Sequence, residues 1–391
     1  MHRRHLAVPA LAAAALTGGL LVAGPLSPPN GPVASTYKTL ADVEPRTPLS
    51  PATTPGDNDT SPSVYRITQP GSYYLTADLV AGASHGIEIA SHNVTIDLNG
   101  FSIRGSSTPN RSGIYGNLHQ LRNVEVRNGS IRDFARAGVD LADPDDWSSP
   151  RLGRIDRLRV SNCGNGIAPG REYTVADCVV SGGSNAVLAY GELLVERCHL
   201  LNTSTSGITS LTGSTVVRGC RIDDTGANGV RLTQGTVEDT DVSFNAESGI
   251  TIFSSGMIRR CRVSNAGATA ISAGPASSVE GCHVYAFSLV GIRAEQRSRV
   301  LNNHVFYSFG SDPNNVQIGI DAPQGTVHVE GNTIARADVG VSGAGGGNTV
   351  VKNVFSSCTT SVSLAGSNQV GAFITAAGTI VSTNPWANLA Q

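Results

Sequence analysis

Val195-Glu-Arg-Cys-His-Leu200, Val279-Glu-Gly-Cys-His-Val284 and Val329-Glu-Gly-Asn-Thr-Ile334 are copies of one phrase, Val-x-x-Cys/Asn/Thr-x-Val/Ile. A second phrase, Gly-Ile/Val-x-apolar, precedes each copy. It starts at Gly86, Gly113, Gly138, Gly166, Gly207, Gly229, Gly249, Gly291, Gly319 and Gly340, with variants at Ala186, Ala270 and Ser361. Neighbouring starts lie 20 to 28 residues apart, and repetition at such a period outranks any local propensity. Each repeat holds three short β-branched runs with period-two alternation, separated by Gly, Asn and Ser. No leucine-rich signature and no 3.6-residue period accompanies them. The pattern predicts an all-β parallel β-helix, a solenoid of about twelve coils with three short strands each. Val and Ile point inward in it, and coils stack about 4.8 Å apart.

The fourth position of the first phrase forms a column: Cys178, Cys198, Cys220, Thr240, Cys261, Cys282, Asn303, Asn332 and Asn353. Asn at a bend bonds its stacked equivalents, and Cys is small and easily buried in the same slot. The cysteines are read as buried free thiols. Disulfides are the rival reading for an exported chain, although seven cysteines leave one unpaired and side chains in one column point the same way. Glu196, Arg218, Glu238, Arg259 and Glu280 alternate in sign at an outward position, which favours one register. His199, Arg221, Asp241, Arg262, His283 and His304 form another outward column, read as a solvated face.

Composition narrows the class. The 391 residues are 40% hydrophobic and only 15% charged, with 45 glycines, so the chain has material for a core and no charge-driven disorder. A formal charge of −2 gives no basic surface for nucleic acid. Lysine occurs only at Lys38 and Lys352. Residues 1–30 combine Arg3-Arg4, an apolar run from Leu6 to Gly24 and small residues, the pattern of a secretory signal peptide. An uncleaved anchor is the alternative reading, and Arg3-Arg4 matches twin-arginine export poorly. No other segment is apolar and long enough to cross a membrane. Residues 31–62 read as a Pro/Thr/Ser-rich linker, 63–373 as the β-helix and 374–391 as a C-terminal cap or tail.

The repeats resemble those of the pectin-lyase-like superfamily, whose fold is a single-stranded right-handed parallel β-helix. Tyr65-Arg-Ile-Thr-Gln-Pro-Gly-Ser-Tyr-Tyr-Leu75 and Val94-Thr-Ile-Asp-Leu-Asn-Gly-Phe-Ser-Ile103 are similar to the entry coils of secreted bacterial members. The resemblance covers residues 63 to about 373. It implies binding of extended polysaccharide, or of a cell-envelope glycan, along the outer face of the first strand. The superfamily includes lyases, hydrolases, epimerases, tailspikes and adhesins, so the resemblance fixes the fold more than the activity. Polygalacturonase-like hydrolases carry Asn-Thr-Asp, Asp-Asp, Gly-His-Gly and Arg-Ile-Lys motifs. This chain has Asp223-Asp224 before Asn228-Gly229, with neither the histidine nor the Arg-Ile-Lys. A lysine-dependent lyase is disfavoured, because Lys352 is the only lysine of the repeats.

The outward residue after each inward Ile or Val defines a stripe: Glu88, Tyr115, Asp140, Ala168, Leu188, Thr209, Arg231, Thr251, Ser272, Arg293, Asp321 and Ser342. Glu88 and Asp140 fall two coils, about 9–10 Å, apart with Tyr115 between them, near the upper separation for an inverting carboxylate pair. A lyase or hydrolase reading makes these three catalytic. Trp147, on the long excursion 142–152, would stack on a sugar ring. Arg231 and Arg293 would hold substrate, with Asp321 beside Arg293 under the insertion Ser308–Gln317. Asp143, Asp145 and Asp146 offer oxygen ligands for Ca²⁺, although three carboxylates fall short of its usual six to eight oxygens. No cofactor is required by this reading. The alternative to a carbohydrate-active protein is a non-catalytic surface or envelope rod, and the sequence leaves oligomeric state open.

Overall fold

The computed structural model describes residues 44–117, 121–142, 152–308, 315–375 and 382–391. The segment 1–30, read above as a signal peptide, lies outside them. Every element belongs to the unit that begins at Arg46 and runs to Gln391. Among the described residues there are strands, turns and bends but no helix, and nothing long and apolar enough to cross a membrane as one.

The strands form three parallel in-register ladders, and the solenoid has about fourteen turns rather than twelve. Ser63–Ile67 opens the first ladder one coil before Gly86, pairing in parallel with His85–Ile89, and Thr360–Leu364 closes it. The thirteen repeat starts in the sequence each supply one rung of this ladder, and the entry coil adds the fourteenth.

Packing explains the repeat. Ile87, Ile114, Val139, Ile167, Val187 and Ile208 stack rung upon rung in the first ladder, all without exposed surface. Val195, Val217, Val237, Ile258 and Val279 do the same in the second. Each such burial is worth roughly 1.5–3 kcal/mol relative to exposure. The repeat glycine is set by closeness. A Cβ on Gly207 would stand 2.5 Å from Ile222 Cγ2 and 2.7 Å from Gly229 O.

Between the second and third strands the chain turns a corner through the left-handed region, for example at Arg197, Asp239, Arg260, Asn302 and Lys352. The Cys/Asn column follows that corner, and its two residue types do one job. Cys198 Sγ donates to Val175 O and Cys261 Sγ to Val237 O, both in the preceding coil. Asn303 Nδ2 donates to Val279 O and Asn332 Nδ2 to Val300 O at the equivalent place. Asn adds a second link: the Asn303 N–H donates to Asn332 Oδ1, and the Asn332 N–H to Asn353 Oδ1, each at 2.9 Å. All seven cysteines are free, and burial pushes the Cys163 thiol up to about 11.

The alternating charges also pair across coils. Arg218 lies 2.6 Å from Glu196, and Arg259 lies 2.5 Å from Glu238. Added strands lie on part of each end coil, where they pair edges that would otherwise recruit strands. Within the 31–62 stretch, Thr47–Pro48 pairs with Tyr73–Tyr74 and Pro55–Asp57 pairs antiparallel with the first strand, with Leu49 buried between. At the other end Asn388–Ala390 adds a rung beyond Val354, and Asn388 Oδ1 accepts from the Asn353 N–H.

Candidate functional site

The outward stripe is a single register. Arg66 pairs with Glu88, Glu88 with Tyr115, Tyr115 with Asp140, and Asp140 with Ala168. From Leu188 it continues through Thr209, Arg231, Thr251, Ser272, Arg293, Asp321 and Ser342 to Ser363.

The fold therefore brings Glu88, Tyr115 and Asp140 together on successive coils, but it packs the two carboxylates. Glu88 has no exposed surface. Its Oε1 accepts from Asn117 Nδ2 at 2.7 Å and lies 3.1 Å from Arg66 Nε, while Oε2 has no partner. Arg66 also holds Asp57 at 2.7 Å. Burial lifts the Glu88 carboxyl above the ordinary carboxylate range, against the pull of Asn117 and Arg66. Asp140 is 5% exposed, with Oδ2 lying 2.5 Å from Arg136 Nε and accepting from Ser112 Oγ at 3.4 Å. Burial raises this carboxyl too, and Arg136 opposes the rise.

His85 completes the cluster. The Ser112 N–H donates to its Nδ1 at 3.0 Å, so the ring proton sits on Nε2, 2.8 Å from Ser61 Oγ. Burial, helped by the charges of Arg111 and Arg136, holds its pKa down to about 4. The neutral ring stacks on Tyr115 with centroids 4.3 Å apart, and the Arg136 guanidinium lies 5.5 Å from the centroid of the Tyr115 ring. The stripe did not contain His85, Arg136, Asn117 or Arg66. His85 was legible only as the residue before Gly86, and Arg66 only as part of the entry coil.

The other stripe residues stand apart from this cluster. Arg231 lies over the Phe253 ring at 4.8 Å, and Phe253 is 53% exposed. Arg293 approaches Asp321 at 3.9 Å, and burial raises the Asp321 carboxyl. Arg231 and Arg293 are three coils apart, about 14 Å by strand spacing. Trp147, Asp143, Asp145 and Asp146 lie outside the described residues. Among the described residues no group of three or more His, Cys, Asp or Glu is placed to hold a metal ion. His283 and His304 meet edge to face at 5.6 Å on an exposed strand face. In the Asp-Asp pair, Ser243 and Arg221 outweigh burial and hold Asp223 below the usual carboxylate range.

These features define a right-handed parallel β-helix protein with the pectin-lyase-like fold. A family model described as the right handed beta helix region matches residues 152–277. No curated protein matches the chain. Among solved structures, the A-module of mannuronan C-5 epimerase AlgE6 from Azotobacter vinelandii superposes with a TM-score of 0.50 at 14% identity, covering 77% of this chain and 90% of that one. The periplasmic alginate epimerase AlgG gives 0.41 at 12% identity over 85% and 82%. The catalytic unit of an alpha-1,3-glucanase from Streptomyces thermodiastaticus gives 0.39 at 11% identity over 82% and 62%. At 14% identity the likeness to the AlgE6 A-module establishes the fold alone.

Proposed function

We propose that the chain is an exported protein that binds extended polysaccharide along its first-strand face, without cleaving it. The observation that carries this reading is the outward register from Leu188 to Ser363. Its middle, Thr251 and Ser272, is small and uncharged beside Arg231 with the exposed Phe253 ring, and Arg293 follows one coil beyond Ser272. Such a strip offers a guanidinium for bidentate bonds, an aromatic surface for a sugar ring and hydroxyls between them.

Three features support binding over hydrolysis or elimination at Glu88, Tyr115 and Asp140. Glu88 is sealed from solvent. Each carboxylate is already held by an arginine. Both carboxyls are shifted upward by burial, whereas an acid and base pair needs environments that push the two apart. A stiff envelope spacer with no glycan ligand is the second reading, favoured by the cross-coil ion pairs and the strands added at each end.

The test is retardation of the full chain in affinity gels containing plant, algal or bacterial polysaccharides, with and without Ca²⁺, alongside an assay for new reducing ends. Retardation that weakens in Arg231→Gln and Arg293→Gln, with no new ends, is the expected result. New ends that vanish in Asp140→Ala would make the protein an enzyme acting at the N-terminal coils. A Ca²⁺ requirement would point to Asp143, Asp145 and Asp146.

A further inference from the structure

The second-strand face carries a groove that the first-strand reading does not use. Thr236, Met257, Ser278, Arg299, His328, Thr349 and Gln369 are paired in one continuous register. Inward neighbours Val237, Ile258, Val279, Val300, Val329 and Val350 are fully buried, so this column faces outward. Seven rungs span roughly 29 Å at the spacing of stacked strands.

Two hollows lie along the column. One, of about 510 Å³, is lined by Gln234, Thr236, Met257, Ser278, Arg297 and Arg299. The next, of about 730 Å³, begins one rung later at His328 and takes in Thr349, Gln369, Asn384 and Trp386. Trp386 is 52% exposed, and Lys352 Nζ sits 4.6 Å from its ring centroid while also pairing with Glu330 at 2.8 Å.

Two arginines, Arg297 and Arg299, line the first hollow. Elsewhere on the second-strand face Arg218 and Arg259 are neutralised by Glu196 and Glu238 on adjacent coils. Among the described residues, the guanidinium groups of Arg297 and Arg299 have no carboxylate partner, although both line the first hollow. Two uncompensated guanidinium forks point to an anionic oxyacid group on the occupant, since bidentate Arg–oxyanion pairs are strong and oriented. The amides and hydroxyls along the column suit sugar hydroxyls. The half-exposed indole, which lines the second hollow with Gln369, suits the apolar face of a pyranose ring.

We infer that this second-strand groove, from Thr236 to Trp386, binds a strand of acidic polysaccharide, with Arg297 and Arg299 gripping its carboxylate or sulfate groups and Trp386 stacking on a sugar ring. The site is separate from the first-strand face and stands or falls independently of it.

The test measures binding of the full chain to polygalacturonate, to dextran sulfate and to neutral dextran over a range of salt. Binding to either anionic polymer but not to dextran, weakening with salt, is expected. Polygalacturonate alone would identify carboxylate as the group read, and both polymers would identify anionic oxygen in general. The Arg297→Gln/Arg299→Gln double variant changes only exposed side chains, and it should weaken anionic binding by about tenfold or more. Trp386→Phe should weaken it less. Arg231→Gln/Arg293→Gln, on the other face, should leave these second-groove changes in place when combined with them. Equal binding of dextran, no binding of either anionic polymer, or an Arg297/Arg299 variant that binds like wild type would each overturn the assignment.

Discussion

Arg136 Nε and Asp140 Oδ2 lie 2.5 Å apart, joining a half-exposed guanidinium to a carboxylate that the coils have almost wholly removed from water. The pair shows how the N-terminal cluster is built. Outward carboxylates are permitted because an arginine just before the same strand, or from the preceding coil as Arg66 is for Glu88, supplies the opposite charge. Arg136→Ala would leave Asp140 buried with only Ser112. The loss at neutral pH should be about 1–2 kcal/mol, below the value for a fully buried pair because Arg136 is half-exposed. Asp140 then has a still higher folded pKa than unfolded pKa, so the missing stability returns as pH falls through that range. Urea unfolding of wild type and variant at pH 7 and pH 4.5 checks both the loss and its recovery.

His85 predicts an opposite pH effect. Its pKa is about 4 in the fold and about 6.5 unfolded, so the unfolded chain binds more protons between those values. Stability from this residue is fully present above pH 6.5 and is lost as pH falls toward 4, on the order of 2–3 kcal/mol. Glu88 and Asp140, with raised folded values, work the other way from their ordinary range upward, which makes a single melting curve ambiguous. The difference between wild type and His85→Gln isolates the histidine. The wild type should lose more melting temperature between pH 7 and pH 5.5 than the variant does.

The fold was legible because its driving forces repeat. An inward Val or Ile, a glycine under a close neighbouring carbonyl and a corner residue recur every coil, so periodicity shows them without homologues. The outward stripe was legible for the same reason. The cluster around Tyr115 was not, because Asn117, Arg136 and His85 fall outside the stripe positions and Arg66 lies in the entry coil, one rung before the first repeat glycine. Thr47–Pro48 and Pro55–Asp57 were hidden by proline-rich composition, which reads as spacer even where the chain caps the first coil.

The Asn ladder should be costlier to break than the Cys ladder. Asn332 accepts from both the backbone N–H and side-chain amide of Asn303 and donates to Val300 O and Asn353 Oδ1. Asn332→Ala strands several buried polar groups and should cost about 3 kcal/mol. Cys261→Ala loses one weak S–H bond to Val237 O and a small volume, and should cost about 1 kcal/mol. Denaturant midpoints at unchanged slope would establish the difference, and equal losses would remove the ladder's special role.

Thiol labelling reports the state of the column. Cys358 is partly exposed and the other six cysteines are buried, so a native chain should react at no more than one thiol. In strong denaturant without reductant all seven should react. Fewer in the denatured chain would mean disulfides in place of stacked thiols.

Binding on the first-strand face is the central claim, and the most direct measurement is an isotherm of the full chain with the polysaccharide that retards it most, repeated for Arg231→Gln/Arg293→Gln. The account predicts a loss of about tenfold or more in affinity with an unchanged melting temperature, since both side chains sit outside the core. An isotherm that superposes on wild type would contradict it and leave the outward stripe as scaffold.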